Sequence, residues 1–277
     1  MDIRNLKVED IQKMNYNELI GIVKETNRPP GGIKTIMEVL NTVSLDENSK
    51  ILDIGTSTGF TAIEFARLTK CNVVGIDINQ MSLDEAKKRA ERLKLNTASF
   101  LKTDATNLPF KENEFDLVFC GNVTSLIPNR KKAFSEYIRV LKEGGFLVAT
   151  PMYYRRDPPS LLIEKISSAI RTEIKIDRKG YWLSFFSDNN LQHISIKDFV
   201  FDTINSDRID LFINNILSRE HLGDLSEQVM KLLKEKYGNY ISLFSENLRY
   251  MGYSLIILRK KDSEIDEELF TSTACDS

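Results

Sequence analysis

The sequence contains few of the residues that build metal sites and disulfide frameworks. It has three cysteines and two histidines in 277 residues, and none of these residues stand in pairs at the spacing of a zinc site. The cysteines, Cys71, Cys120 and Cys275, are scattered along the chain. We therefore expect reduced thiols, no metal and a cytoplasmic location.

Long apolar runs and an excess of either charge are also missing. No segment approaches the roughly 18–20 apolar residues of a membrane span, and Met1–Asn5 does not open a secretory signal. We therefore expect no membrane partner. Lys and Arg number 38 against 40 Asp and Glu, a net charge of −2. Without a global basic field, nucleic acid is not an expected partner, although a local basic patch would escape this argument.

What the sequence does contain is a loop of small residues behind a short apolar run. Residues 50–60 are Lys-Ile-Leu-Asp-Ile-Gly-Thr-Ser-Thr-Gly-Phe, and an amphipathic helical pattern follows at 61–68. A strand, a tight loop and a helix N-terminus are typical of a nucleotide cradle. The spacing fits neither a dinucleotide fingerprint nor a P-loop, because Ser57 and Phe60 replace glycines of the first and no lysine follows Gly59. A turn that needs small residues for packing remains the alternative.

A second apolar strand ends in Asp77, which lies 22 positions after Gly55. A carboxylate about 20 residues beyond the first glycine can accept hydrogen bonds from both ribose hydroxyls of a nucleoside. The alternative role is an N-cap for the helix predicted at 81–90. Ser82 is the better cap, since Glu85 three residues later would complete a capping box. Asp77 is therefore predicted to be available for a ligand.

The strand and helix pattern then repeats. Residues 98–110 predict a third strand followed by an acid and a loop, and 114–122 predict a fourth strand. A helix is predicted at 131–141, and a turn with a fifth strand at 143–151. Alternating strands and helices indicate a parallel sheet with right-handed crossovers, in which ligands bind at the carboxyl ends of the strands. The polar side chains near those ends are Asp53, Asp77, Asp104 and Asn122.

Together these segments resemble the class I S-adenosylmethionine-dependent methyltransferases. The matching segments are Leu-Asp-Ile-Gly-Thr-Ser-Thr-Gly (52–59), Gly-Ile-Asp (75–77), Thr-Asp-Ala-Thr-Asn-Leu-Pro-Phe (103–110), Phe-Asp-Leu-Val (115–118) and Arg-Val-Leu-Lys-Glu-Gly-Gly (139–145). The resemblance covers about residues 50–151. It implies an α/β fold, a Rossmann-like three-layer sandwich whose mostly parallel, seven-stranded sheet has an antiparallel last strand. Ser57 departs from the family pattern, which usually has glycine at this position.

The resemblance also implies a cofactor, S-adenosylmethionine, and a role for each strand end. Asp53 and the loop glycines would surround the methionine part of the cofactor, and Asp77 would hold the ribose. Asp104 and the backbone around Ala105 would meet the adenine, while residues 121–122 would line the floor near the sulfonium. The candidate cofactor-binding residues are Asp53, Gly55, Thr56, Ser57, Gly59, Asp77, Ile78, Asp104, Ala105, Gly121 and Asn122.

The segments outside this core are expected to choose the acceptor. We divide the chain into an N-terminal helical lid or wall at 1–48, a methyltransferase domain at 49–260 and a flexible tail at 261–277. Within the domain we expect helical cap insertions at 155–190 and 207–250. The second insertion lies between the sixth and seventh strands. It is either a substrate cap or an oligomer contact, and a homodimer is left open.

The candidate substrate residues belong to these flanking segments. The N-terminal segment offers a tyrosine and an arginine, and an arginine can bind a carboxylate. Aromatic residues with polar tips follow the fifth strand and are suited to enclosing a small organic molecule. For each aromatic residue taken singly, sealing the core is an equal alternative. The set is Tyr16, Arg28, Tyr153, Tyr154, Tyr181 and Trp182.

The sequence names no catalytic base. In methyl transfer the sulfonium already activates the methyl carbon, so an enzyme contributes positioning, desolvation and the removal of one proton. Many oxygen-methylating relatives carry a histidine after the fourth strand, where this chain has Asn122, and His193 and His221 lie elsewhere. We therefore expect a proximity-driven methyltransferase for a small molecule. The open alternatives are a protein or RNA methyltransferase and a non-catalytic scaffold that binds the cofactor.

Overall fold

The computed structural model describes residues 3–263 and is built around a mixed β-sheet. Its strands are β1 (Lys50–Ile54), β2 (Asn72–Asp77), β3 (Ala98–Lys102), β4 (Phe115–Cys120), β5 (Leu141–Ala149), β6 (Met152–Tyr154), β7 (Leu191–Val200) and β8 (Met251–Lys260). Their order is β3-β2-β1-β4-β5-β8-β7, and β6 pairs with β8 beyond the end of β5. The first five strands are parallel, while β8 is antiparallel to its neighbours. The predicted fold is confirmed.

Pro151 divides what is otherwise one long strand. β5 and β6 keep the same register against β8, because Ala149 pairs with Ile256 and Met152 with Tyr253. Pro151 has no N–H to donate to the ladder, although its carbonyl still accepts a hydrogen bond from β8. The sheet therefore has one short strand more than the seven predicted, and this strand extends the sheet past the carboxyl end of β5.

Ten α-helices flank the strands in the described part of the chain. They are α1 (Val8–Lys13), α2 (Tyr16–Val23), α3 (Ile33–Thr42), α4 (Phe60–Thr69), α5 (Gln80–Arg92), α6 (Arg130–Val140), α7 (Ser160–Ile170), α8 (Lys179–Phe185), α9 (Ser206–Leu217) and α10 (Glu227–Leu248). The helix predicted at 131–141 is α6, displaced by one residue. Asn15 separates α1 from α2 and caps α2 by accepting the Glu18 N–H at 2.9 Å.

Alternate residues of β1 face two hydrophobic cores on opposite sides of the sheet. Leu52 and Ile54 belong to a core that includes residues of α6 and α8, and Ile51 belongs to one that includes residues of α3, α4 and α5. All three side chains are buried. Burial on both faces explains why the strand is an unbroken apolar run up to Asp53.

The two flanks of the sequence pack against each other. Ile11 of α1, Ile213 of α9 and Tyr237 of α10 share a third hydrophobic core. The predicted helical insertion between the last two strands is confirmed as α9 and α10, and it joins the N-terminal helices in one unit. We call α1, α2, α9 and α10 the helical cap.

The described residues carry neither a membrane-spanning helix nor a cluster of metal ligands. Residues 3–263 contain no helix that is both long and apolar enough to cross a membrane. Within that range, His, Cys, Asp and Glu side chains do not gather in a group of three or more that could hold a metal ion. Of the predicted tail at 261–277, residues 264–277 lie outside the described residues.

Candidate active site

The loop between β1 and α4, residues 55–59, contains two glycines with positive φ angles; we call it the glycine loop. The φ angle is +71° at Gly55 and +84° at Gly59, a region that favours glycine. A Cβ on Gly55 would lie 2.5 Å from Val123 Cγ2. A Cβ on Gly59 would lie 2.7 Å from Ala86 Cβ. Backbone conformation and close packing therefore both require these glycines.

Ser57, where the family usually has glycine, adopts a left-handed conformation. Its φ angle is +50°, which costs a residue with a Cβ about 1–2 kcal/mol. Its N–H donates to Asp77 Oδ2 at 2.9 Å and so joins the glycine loop to the end of β2. The loop thus keeps the backbone path of a glycine at this position, at some energetic cost.

Two polar groups near the glycine loop lack hydrogen-bond partners. Asp53 is 2% exposed near the end of β1, and within the described structure neither its Oδ2 atom nor Thr56 Oγ1 has a partner. Burial raises the pKa of Asp53 to about 7, and the Ala62 N–H offsets part of this effect. Buried polar groups are usually paired, so these two call for an explanation. A ligand with a positive group would stabilise the ionised carboxylate.

Asp77 lies half-buried at the end of β2 with part of its bonding capacity in use. Oδ2 accepts the Ser57 N–H and Oδ1 accepts the Asn79 N–H, both at 2.9 Å. Asn79 also caps α5, so the predicted Ser82 cap is wrong, since the helix already begins two residues earlier. A carboxylate has about four lone-pair sites, and Asp77 therefore keeps acceptor positions for further donors.

The next residues along this edge combine an exposed apolar side chain with a carboxylate. Ile78 is 71% exposed, the largest fraction for a large apolar side chain in residues 3–263. Asp104 follows the neighbouring strand β3 and accepts the Thr106 N–H at 2.8 Å, which lowers its pKa. Ala105 is buried beside it in sequence. This surface suits a flat, partly apolar ring.

Residues 121–122, which were predicted to lie near the sulfonium, follow β4, and Thr150 follows the neighbouring strand β5. Asn122 Oδ1 accepts the Met152 N–H at 2.9 Å and so fixes the start of β6. Thr150 is 0% exposed, and its Oγ1 atom has no partner within residues 3–263. A Cβ on Gly121 would lie 3.7 Å from both Thr150 Oγ1 and Pro29 Cβ. Sequence reasoning missed Thr150, because a single threonine after an apolar strand carries no signal.

Residues 24–32, which we call the wall segment, contact the glycine loop directly. The Thr58 hydroxyl donates to the Glu25 carbonyl at 2.7 Å and accepts the Asn27 N–H at 3.2 Å. Arg89 of α5 donates to the Thr58 hydroxyl at 3.1 Å and to its carbonyl at 3.2 Å. Thr58, in the glycine loop, thus joins the wall segment to α5.

The two N-terminal substrate candidates have different surroundings. The Tyr16 hydroxyl donates to Glu25 Oε2 at 3.4 Å, and its ring centre lies 4.5 Å from that of Phe244 in α10. Arg28 is exposed, and its guanidinium carbon lies 5.1 Å from the centre of the Phe60 ring at the start of α4. Arg28 therefore borders the glycine loop, whereas Tyr16 belongs to the helical cap.

Trp182 and Tyr181 are adjacent in α8 but face different environments. The buried Trp182 indole donates its N–H to the Met152 carbonyl at 3.0 Å. Tyr181 is exposed and accepts a hydrogen bond from Arg130 at 3.1 Å. Arg130 also pairs with Asp177 at 2.6 Å. Trp182 thus supports the core beneath β6, and Tyr181 remains accessible.

Tyr153 and Tyr154 point to opposite sides of β6. Tyr153 is buried in the core that contains α8, and its hydroxyl reaches Asp198 of β7 at 3.5 Å. Tyr154 is buried and donates to Asn247 of α10 at 3.0 Å. The structure therefore distributes the aromatic candidates among the core, the surface and the helical cap.

Comparison with known families identifies the chain. Residues 45–185, just over half of its length, match the family described as a methyltransferase domain. The chain belongs to the class I S-adenosylmethionine-dependent methyltransferases. Among solved structures, this methyltransferase resembles the MccD protein, with a TM-score of 0.70 and 28% identity. That match covers 85% of this chain and 100% of that one.

Two sequence relatives cover different shares of this methyltransferase. An uncharacterised protein of Haemophilus influenzae is 25% identical over 185 residues, which are 66% of this chain and 73% of that protein. A sterol 24-C-methyltransferase of Debaryomyces hansenii is 35% identical over 104 residues, which are 37% of this chain and 28% of that enzyme. The match to the sterol enzyme thus spans less than a third of its length.

Proposed function

We propose that this protein transfers the methyl group of S-adenosylmethionine to a small-molecule acceptor. The observation that carries the proposal is a row of groups at the carboxyl edge of the sheet that lack hydrogen-bond partners, keep free acceptor positions or expose apolar surface. They are Asp53 Oδ2, Thr56 Oγ1, the remaining acceptor positions of Asp77 and the exposed Ile78. These groups suit a cation, neighbouring hydroxyls and a flat ring, in that order along the edge. S-adenosylmethionine carries all three.

The methionine part of the cofactor would bind at the glycine loop. Its ammonium group would neutralise Asp53, and the Thr56 hydroxyl, which has no partner in residues 3–263, would contact a remaining polar atom. The glycines of residues 55–59 would let the cofactor approach the backbone closely. The loop includes Gly55, Thr56, Ser57 and Gly59 from the sequence prediction. The carboxylate of the methionine part has Arg28 as a nearby cationic side chain, since Arg28 lies on the Phe60 ring.

The nucleoside would extend along the ends of β2 and β3. Asp77 would accept hydrogen bonds from the ribose hydroxyls, and Ile78 would cover one face of the adenine. Asp104 and the backbone around Ala105 would meet its polar edge. The sulfonium would then face residues 121–122 at the end of β4.

The mechanism that fits this site depends on position and on the exclusion of water. The bound cofactor supplies a methyl group that is already activated for in-line displacement. Thr58 holds the wall segment against the glycine loop. Asn122, after β4, fixes the start of β6. His221 contacts the Ile22 carbonyl and His193 lies on β7, so the acceptor proton is left to a tyrosine, an acid or solvent.

The acceptor is inferred from weaker observations. The net charge of −2 argues against nucleic acid, and similarity to a sterol methyltransferase favours a small organic molecule. The aromatic candidates after β5 remain predictions, with Tyr181 the accessible one. The domain division, the cytoplasmic location and a homodimer also remain predictions. A protein or RNA acceptor and a scaffold without transfer are the competing functions.

Calorimetric titration with S-adenosylhomocysteine and incubation of extracts with methyl-labelled S-adenosylmethionine test the proposal together. We expect saturable binding and label on small molecules. Label on protein or RNA would show that the acceptor is a macromolecule and not a small molecule. Binding without transfer to any acceptor class would favour a scaffold, and no binding at saturating cofactor would overturn the proposal.

A further inference from the structure

Glu25 is a buried carboxylate for which the proposed reaction has no use. It lies in the wall segment directly after α2 and is 8% exposed. Burial raises its pKa, whereas two tyrosine hydroxyls and the charges of Arg219 and Arg28 act in the opposite direction. A carboxylate is kept in such a place only if it is well paired, because burial otherwise favours its neutral form.

The side chain of Glu25 connects the wall segment to the inserted helix α10. The Tyr237 hydroxyl donates to Glu25 Oε2 at 2.8 Å, and Tyr237 is fully buried. Tyr16 of α2 donates to the same oxygen at 3.4 Å. Burial, followed by the negative charge of Glu25, raises the pKa of the Tyr237 hydroxyl, which therefore stays protonated as a donor. One oxygen atom thus joins two helices of the helical cap.

The backbone of Glu25 connects the same residue to the cofactor site. Its carbonyl accepts the Thr58 hydroxyl at 2.7 Å and Arg89 at 3.2 Å. Arg89 also donates to the Lys24 carbonyl at 2.5 Å, and is itself paired with Glu85 at 3.0 Å. The path from α10 to the glycine loop is therefore three residues long: Tyr237, Glu25 and Thr58.

We propose that Glu25 is a positioning residue that sets the glycine loop from the helical cap. The inference rests on the proposed function, because it assumes that the glycine loop holds the cofactor. Its consequence is that the insertion between β7 and β8 contributes to cofactor affinity without touching the cofactor. Breaking the hydrogen bond between Tyr237 and Glu25 removes one of the contacts that hold the wall segment, and the glycine loop loses part of its preorganisation.

The test is the dissociation constant for S-adenosylhomocysteine of the full-length protein, measured by calorimetry at a temperature well below unfolding. Tyr237→Phe removes one hydroxyl, and we expect the constant to rise about tenfold, as for loss of one hydrogen bond to a charged group. Tyr240→Phe is the matched control. It removes a hydroxyl from the next turn of α10, which packs on Tyr16 without bonding to Glu25, and should leave the constant unchanged.

Three results separate the possible failures. If the unmodified protein does not bind S-adenosylhomocysteine, the proposed function fails. If it binds, and Tyr237→Phe binds equally well, the positioning role is overturned. If Tyr237→Phe and Tyr240→Phe weaken binding equally, general loosening of α10 explains the loss and the positioning role is again overturned.

A second measurement does not depend on the ligand. Amide hydrogen exchange of the protein without cofactor should become faster at Asn27 and in residues 55–59 of Tyr237→Phe, while the strands keep their protection.

Glu25→Gln retains an acceptor oxygen and should restore most of the affinity for S-adenosylhomocysteine that is lost in Glu25→Ala. Unchanged exchange in these segments, or no difference between the Gln and Ala variants, would contradict the proposal.

Discussion

In the described part of the chain, buried polar atoms lack hydrogen-bond partners at the carboxyl edge of the sheet, whereas buried polar groups of the helical cap are paired. At the edge, Asp53 and Thr56 have buried atoms without partners, and the large apolar side chain of Ile78 is exposed. In the cap, Tyr237 is paired with the buried Glu25, and Asn247 accepts the Tyr154 hydroxyl. Unsatisfied groups of this kind reduce stability unless a ligand completes them. Under the proposed function, the cofactor completes the groups at the edge, and the cap holds the glycine loop in place for it.

Substitution in the glycine loop should have the largest effect on stability and on cofactor binding. Gly55→Ala puts a Cβ 2.5 Å from Val123 at a φ angle of +71°, and we expect the free energy of unfolding to fall by about 2–4 kcal/mol. Cofactor binding should be lost as well. Urea unfolding and calorimetric titration check both.

Gly180→Ala is the control for this substitution. Gly180 lies in α8, where an added Cβ would meet no atom within 4 Å. The change should leave stability unchanged or raise it by about 0.5–1 kcal/mol. Equal losses at the two glycines would show that the loop has no special constraint.

Removal of the carboxylate at the end of β2 should have the next largest effect on binding. Asp77→Ala takes away the predicted ribose acceptor together with the bonds to Ser57 and Asn79. We expect the dissociation constant for S-adenosylhomocysteine to rise about 100-fold. Asp84→Ala, on the exposed side of α5, should not change it. Unchanged affinity in Asp77→Ala would refute the ribose assignment.

The sequence predicts the carboxyl edge of the sheet because local patterns determine where each strand ends. Buried strands are continuous apolar runs, and each ends in a polar residue at the same side of a parallel sheet. These patterns predict that Asp53, Asp77 and Asp104 lie at one edge of the sheet. The Ser82 cap was wrong, because Asn79 stands earlier and competes for the same helix N-terminus.

The cap could be foreseen only as helices. Its decisive contacts join residues far apart in sequence, such as Glu25 with Tyr237 and Lys24 with Arg89. Periodicity shows that α10 is amphipathic, but it does not show which buried tyrosine meets which carboxylate. The hydroxyl of Thr150, which lacks a partner in residues 3–263, was missed because a single threonine after an apolar strand carries no signal.

The pH dependence of cofactor binding should sharpen the comparison. The pKa of Asp53 is about 7 in the folded protein against 3.8 ordinarily. Between these two pH values, the folded protein without cofactor keeps Asp53 protonated, whereas the unfolded chain has released this proton. The stabilisation that the proton provides is therefore lost as the pH rises from about 4 to about 7. The ionised form is the one that binds an ammonium group.

Affinity for S-adenosylhomocysteine should accordingly rise by up to about tenfold per pH unit below pH 7 and level off above it. Calorimetric titrations between pH 5.5 and 8.5, chosen to span about 1.5 units on each side of that pKa, check this. Asp53→Asn should bind more weakly with a flat profile. The same slope in Asp53→Asn would assign the proton to another group.

The smallest effect is expected at Ser57. Ser57→Gly relieves a φ angle of +50° and should raise the free energy of unfolding by at most about 1 kcal/mol. Lys94→Gly relieves a similar angle of +54° far along the sequence. Both should stabilise by similar amounts in urea unfolding, and only Ser57→Gly should alter cofactor affinity. An affinity change in Lys94→Gly would contradict a local effect at the loop.

A crystal structure with S-adenosylhomocysteine tests the central claim most directly. The account predicts that both ribose hydroxyls lie at about 2.6–3.2 Å from Asp77 oxygens, with the amino group on the Asp53 side of the glycine loop and the adenine against Ile78. A ligand bound away from this edge, with Asp53 and Thr56 still lacking partners, would contradict it.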